Sequence, residues 1–128
     1  MADVAEALGL AKGSLYGYVE SKEALFDAAV RYADGHGAAP ALSELPLRTP
    51  AEGATLAYIR ERIMTEAADM TLVSVSTGKR VIKNAERELE TVLADLYRRI
   101  ARNRRAVKLV DRCAADYPEL ANVWFGTS

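Results

Sequence analysis

Cysteine, histidine and tryptophan each occur once, as Cys113, His36 and Trp124, and proline occurs only four times in 128 residues. One cysteine excludes an intramolecular disulfide. Cys113 reads as a small residue on a buried helix face, not as a redox or catalytic thiol. One histidine leaves no His–Cys or Ser–His–Asp arrangement for nucleophilic catalysis. His36 lies between Gly35 and Gly37, where solvent is expected to surround it and no metal partners are offered. No glycine-rich phosphate pattern follows a strand and no cluster has metal-ligand spacing. No cofactor, metal site or catalytic residue is therefore expected. No apolar run approaches the length of a membrane span, and the start lacks the basic residues and long apolar stretch of a signal peptide. A cytoplasmic chain without a membrane partner is expected. An excess of positive charge is also lacking: 17 Lys and Arg face 18 Asp and Glu, a formal net charge of −1.

What is present is ordinary globular material, half hydrophobic and 27% charged, long enough for one domain with a core. Its apolar residues recur with helical period, so the fold class expected is all-α. The densest signal runs from Asp3 to Leu25. Val4, Ala5 and Leu8 give a short helix one apolar face. Gly9 follows where a helix closes through a left-handed residue. A second helix is expected from about Ala11 to Val19, with Leu15 and Val19 inward and Lys12, Gly13, Tyr16 and Gly17 outward. Ser21 is a good N-cap for a third helix, with Glu23 in its first turn and Leu25, Phe26, Ala29 and Val30 along one side.

Two short helices joined by a glycine turn are how a chain presents a helix to the DNA major groove. Gly9-Leu10-Ala11-Lys12-Gly13-Ser14-Leu15-Tyr16-Gly17-Tyr18-Val19, followed by Ser21-Lys22-Glu23-Ala24-Leu25, resembles the DNA-binding signature of the tetracycline-repressor (TetR) family of transcriptional regulators. The resemblance covers about Asp3 to Val30. It implies an all-helical homodimer whose N-terminal DNA-binding region precedes a larger helical domain that binds a small molecule and dimerises. Carried over by position, it places Lys12, Gly13, Tyr16 and Gly17 at base edges and Ser14, Tyr16, Tyr18 and Lys22 near phosphates. Hydroxyls and a lysine suit phosphate oxygens. Of the base-edge set, only Lys12 can make a strong contact of the lysine-to-guanine kind.

Some features depart from that pattern. Ala11 stands where a capping serine is usual, forfeiting on the order of 1 kcal/mol of helix start. Gly17 costs roughly 1 kcal/mol relative to alanine in a helix. Glu20 brings a negative charge near the expected DNA backbone. Residues 1–34 hold three cations against six carboxylates, whereas DNA affinity rests on cations at phosphates. The helix that opens the family's fold is expected to be missing here, and so are the long helices that usually follow Val123-Trp124-Phe125. The chain thus reads as lacking both ends.

Residues 1–34 are read as an incomplete helix-turn-helix region, 35–50 as a linker punctuated by Pro40, Pro46 and Pro50, and 51–128 as a partial regulatory domain. Thr49-Pro50-Ala51-Glu52 has the form of a capping box, opening a helix with Leu56, Ile59 and Ile63 that runs to about Ala68. Thr71 to Ser76 alternates like a strand, but six residues without a partner make no sheet, so an irregular or short helical connection is expected. A long helix from about Val81 carries the stripe Leu89, Leu93, Leu96 and Ile100. Asn103 interrupts it, Val107, Val110 and Ala114 mark another helix, and Tyr117-Pro118-Glu119 starts a last one.

Two clusters have competing explanations. Arg98, Arg99, Arg102, Arg104, Arg105, Lys108 and Arg112 form a basic belt. It could touch DNA or an acidic ligand, but a solvated, ion-paired helix face is the expected reading. Tyr58, Met64, Tyr97 and Trp124 could line a cavity for an unknown small-molecule effector, or be ordinary core. The function expected is a DNA-binding repressor that grips a double-stranded operator as a homodimer until an effector releases it. The alternatives are a helical fragment without DNA binding, acting through helix pairing, and a ligand-binding module alone.

Overall fold

A computed structural model describes residues 1–70, 74, 78 and 83–126. The chain divides into two compact units, Met1–Thr55 and Leu56–Ser128. Among the described residues every extended element is helical, so the all-α expectation holds: α1 Ala2–Ala7, α2 Lys12–Leu15, α3 Lys22–Tyr32, α4 Ala54–Asp69, α5 Ala85–Arg102, α6 Arg104–Ala114 and α7 Pro118–Phe125. The alternating stretch Thr71 to Ser76 and the expected helix start at Val81 fall largely or wholly outside the described residues.

In the first unit, α1 closes at Gly9, whose φ of +68° is the left-handed conformation a side chain resists. The chain then reverses into α2. Ala5, Leu15, Val19 and Ala24 are buried together, with Met1, Leu25 and Leu47 packed against them. Burying Leu15 alone contributes about 2 kcal/mol. Val4 of α1 and Leu8, just past its end, remain exposed. At α3 the Ser21 hydroxyl oxygen accepts from the Ala24 amide at 3.1 Å, the expected cap.

The second helix is shorter than its pattern suggests. It covers Lys12–Leu15 and not Ala11 to Val19. Gly13 and Gly17 each weaken a helix by about 1 kcal/mol relative to alanine, and Ala11 offers no side-chain cap. Tyr16 to Tyr18 continue as a tight turn, with the Gly17 amide donating to the Ser14 carbonyl at 3.1 Å and the Tyr18 amide to the Leu15 carbonyl at 3.0 Å. The backbone around Val19 finds a partner elsewhere. The Leu47 amide donates to the Tyr18 carbonyl at 2.9 Å, and the Glu20 amide donates to the Leu47 carbonyl at 2.8 Å, a parallel bridge.

That bridge brings part of the expected linker into the first unit. Thr49 also departs from its expected role. Its hydroxyl lies 2.6 Å from that of Ser21, and its amide donates to the Glu20 carboxylate at 2.7 Å. With Thr49 so engaged and Gly53 left-handed at φ +78°, the capping box does not form and α4 starts at Ala54.

In the second unit α6 packs against α7, burying Val110, Ala114 and Leu120. Pro118 occupies the first turn of α7, where its missing amide costs nothing. Cys113 is half-buried. The α5 stripe is a correction: Leu89, Leu93 and Ile100 are exposed and Leu96 half-buried. The side of α5 turned to α4 carries Asp95, Arg99 and Arg102, whose ion pairs fix the helix's rotation. Arg99 donates through Nη1 to Glu66 Oε2 at 2.9 Å and through Nη2 to the Asp69 carbonyl at 2.8 Å. Arg102 Nη2 donates to Glu66 Oε2 at 2.9 Å. Arg99 thereby caps the last turn of α4, where carbonyls otherwise lack partners.

Candidate nucleic-acid interface

Around the corner formed by α1 and α2, polar and aromatic residues are exposed. Leu15 and Val19 anchor the segment in the core, and every residue between Lys12 and Tyr18 except Leu15 is exposed. Tyr16 is 42% exposed and Tyr18 51%, so neither ring serves the core. Lys12 opens α2, and Lys22 opens α3 with its side chain exposed. Lys12, Gly13, Ser14, Tyr16, Gly17, Tyr18 and Lys22 therefore all lie within one surface-exposed stretch of chain.

Chemically this surface offers two ammonium groups, one serine hydroxyl, two phenols and two glycines that expose backbone. Such groups donate to phosphate oxygens, and lysine can also reach a guanine edge. Its shape depends on the strap Leu47 to Thr49. Leu47 pins the backbone on either side of Val19, and Thr49 holds Glu20 and Ser21. The Glu20 carboxylate, which lies between Tyr18 and Lys22 in the chain, is thus tethered to the Thr49 backbone amide. Sequence reasoning missed the strap, because partners 28 and 29 residues apart leave no local periodicity.

The proposed effector residues are placed differently. Met64 is 66% exposed and Tyr97 75% exposed, so both face solvent and not a cavity. For Tyr97 the cause is the same rotation of α5 that turns Arg99 inward, whereas Met64 lies on α4. Tyr58 is half-buried on α4. Trp124, half-buried on α7, donates from Nε1 to Asp111 Oδ1 at 3.0 Å. Of the basic belt, Arg99 and Arg102 are ion-paired with Asp95, Asp69 and Glu66. Burial pushes the Glu66 carboxyl up, but hydrogen bonds from Arg102, Asn103 and Arg99 outweigh it and hold the group below its ordinary value. The Arg99 guanidinium is held more firmly charged, chiefly by Asp95 and Asp69. No helix among the described residues is long and apolar enough to cross a membrane.

No curated protein and no solved structure matches the chain. Residues 1–29 match the family model described as bacterial regulatory proteins, tetR family. The match spans α1, the glycine turn, α2 and most of α3, the same residues that hold the exposed surface. Over residues 1–29 the chain is thus similar to the helix-turn-helix module of the bacterial regulatory proteins of the tetR family, and further helices follow.

Proposed function

We propose that this chain is a DNA-binding transcriptional regulator of TetR type, a cytoplasmic repressor whose operator binding is relieved by a small-molecule effector. The observation that carries the reading is the outward-facing segment Lys12 to Tyr18, anchored through Leu15 and Val19 inside the matched module. In this reading Lys12 reads a base edge, Gly13 and Gly17 allow close backbone approach, and Ser14, Tyr16, Tyr18 and Lys22 fix register on phosphates. The DNA-contacting head lies within residues 1–34, and residues 51–128 carry regulation. A homodimer would span two half-sites about one turn of DNA apart. An effector can release such a dimer only by binding one arrangement of the heads more tightly than the other. Tyr58 and Trp124 are the half-buried aromatic candidates for that contact.

A second reading is favoured by charge. Residues 1–55 hold four cations against eight carboxylates, which disfavours approach to phosphates. In that case the chain acts through helix pairing without binding DNA. Gel-shift titrations across a salt series, using selected operator candidates and random duplex, decide between the two. The regulator gives a specific complex that Lys12→Ala abolishes. The second reading gives no complex with either duplex.

A further inference from the structure

Positive charge is distributed unevenly along this chain. Residues 56–128 contain thirteen cations and ten carboxylates, while residues 1–55 are net negative. Once Arg99 and Arg102 are assigned to their carboxylates, the belt's strongest remaining feature is α6. Arg104, Lys108 and Arg112 fall four residues apart on one side of that helix, with Arg105 beside them, and all four are exposed. The apolar residues Val107, Val110 and Ala114 lie on the other side, and the last two are buried against α7. Packing of that side therefore fixes the cationic row on the surface.

Like charges four apart destabilise an isolated helix, so the row opposes helix formation. Acids that could offset it are few. Asp111 is the one carboxylate within α6; its Oδ1 accepts the Trp124 indole N–H, and its single charge, three residues from Lys108, offsets only part of the row. Asp116, just past the end of α6, is the next along the chain. Successive members of the row are about 6 Å apart along the axis, so three of them span about 12 Å. A duplex presents one charge per about 1.7 Å of its axis, so a row this long meets phosphates in any register. It needs no base contact to do so.

We infer that Arg104, Lys108 and Arg112 of α6 form a second, sequence-independent contact with the phosphate backbone of duplex DNA, supplying cations that the first unit lacks. The inference rests on duplex DNA being the ligand, but not on the roles given to Lys12 to Tyr18. A cationic row would also attract an acidic protein or a lipid surface, and the module matched over residues 1–29 favours DNA among the three.

The test is fluorescence anisotropy of the full chain with random duplex across a salt series. Neutralising the row in R104Q/K108Q/R112Q is expected to reduce the slope of log affinity against log salt by about 2.7, at about 0.9 per phosphate contact. The charge-preserving R104K/R112K is expected to keep the slope. If the triple variant loses helical circular dichroism, Lys108→Gln alone is read instead, with an expected slope change of about 0.9. An unchanged slope in the folded neutral variants overturns the inference. So does an equal loss in R104K/R112K, or row-dependent binding to anionic vesicles with none to duplex. K12Q/K22Q separates the two sites. If it removes only operator preference, both contacts stand, and if it has no effect, the head reading fails while the α6 contact survives. Abolition of all random-duplex binding in K12Q/K22Q overturns the α6 contact.

Discussion

The hydroxyls of Ser21 and Thr49 lie 2.6 Å apart, although 28 residues separate them in the chain. The same Ser21 oxygen caps α3 through the Ala24 amide. One side chain thus starts a helix and fastens the strap that shapes the corner holding Lys12 to Tyr18.

Ser21→Ala removes both contacts. It is expected to destabilise the first unit by about 1–2 kcal/mol, within the range of N-cap losses. Thr49→Val removes only the hydroxyl pair and should cost about 1 kcal/mol or less. Urea titration followed by circular dichroism compares them, and a larger loss for Thr49→Val would contradict the capping role.

Gly9 and Gly13 are expected to respond to alanine with opposite signs. Neither has an atom within 4 Å of an added Cβ, but Gly9 has φ +68° and Gly13 is helical. Gly9→Ala should destabilise by about 1–2 kcal/mol through left-handed strain. Gly13→Ala should stabilise by up to about 1 kcal/mol through helix propensity. Thermal melts of the two variants read the signs directly.

Arg99 joins the end of α4 to α5 through Glu66, Asp69 and Asp95. Arg99→Ala leaves two carbonyls of the last α4 turn and three carboxylates without this donor. A loss of about 2 kcal/mol is expected, because Arg99, Glu66 and Asp95 are largely shielded from water and only Asp69 is open. Hydrogen exchange should show faster opening at the end of α4, with little change in α3.

The depressed Glu66 titration fixes the sign of one acid effect. Its folded value lies below the ordinary 4.5, so its contribution is complete above about pH 4.5 and fades as pH falls through the lower folded value. Melting temperature should therefore decline below about pH 4.5 from this group. Glu66→Gln should flatten that part of the decline, and a variant curve parallel to the unmodified protein would refute the assignment.

Much of the helical layout was legible because caps and period are local. Ser21, Pro118 and the apolar spacing of α3, α6 and α7 act within one or two turns. The outward side of Lys12 to Tyr18 was legible for the same reason, since Leu15 and Val19 alone could serve the core. The length of α2 was not, because two glycines leave that segment close to balance and a distant backbone bridge decides it. Met64, Tyr97, Leu89 and Leu93 were misplaced because an apolar stripe marks one side of a helix but does not say what covers it.

The amino-acid order alone determined an all-helical chain, the glycine-closed corner and the outward side of Lys12 to Tyr18, all of which follow from near-neighbour sterics, capping and periodicity. Tertiary structure decided where α2 stops, that Thr49 serves Ser21 and not α4, and which side of α5 is turned inward. Those outcomes depend on groups 27 to 36 residues apart, from Glu20–Leu47 to Arg102–Glu66. Their hydrogen bonds become possible only once folding has brought them together.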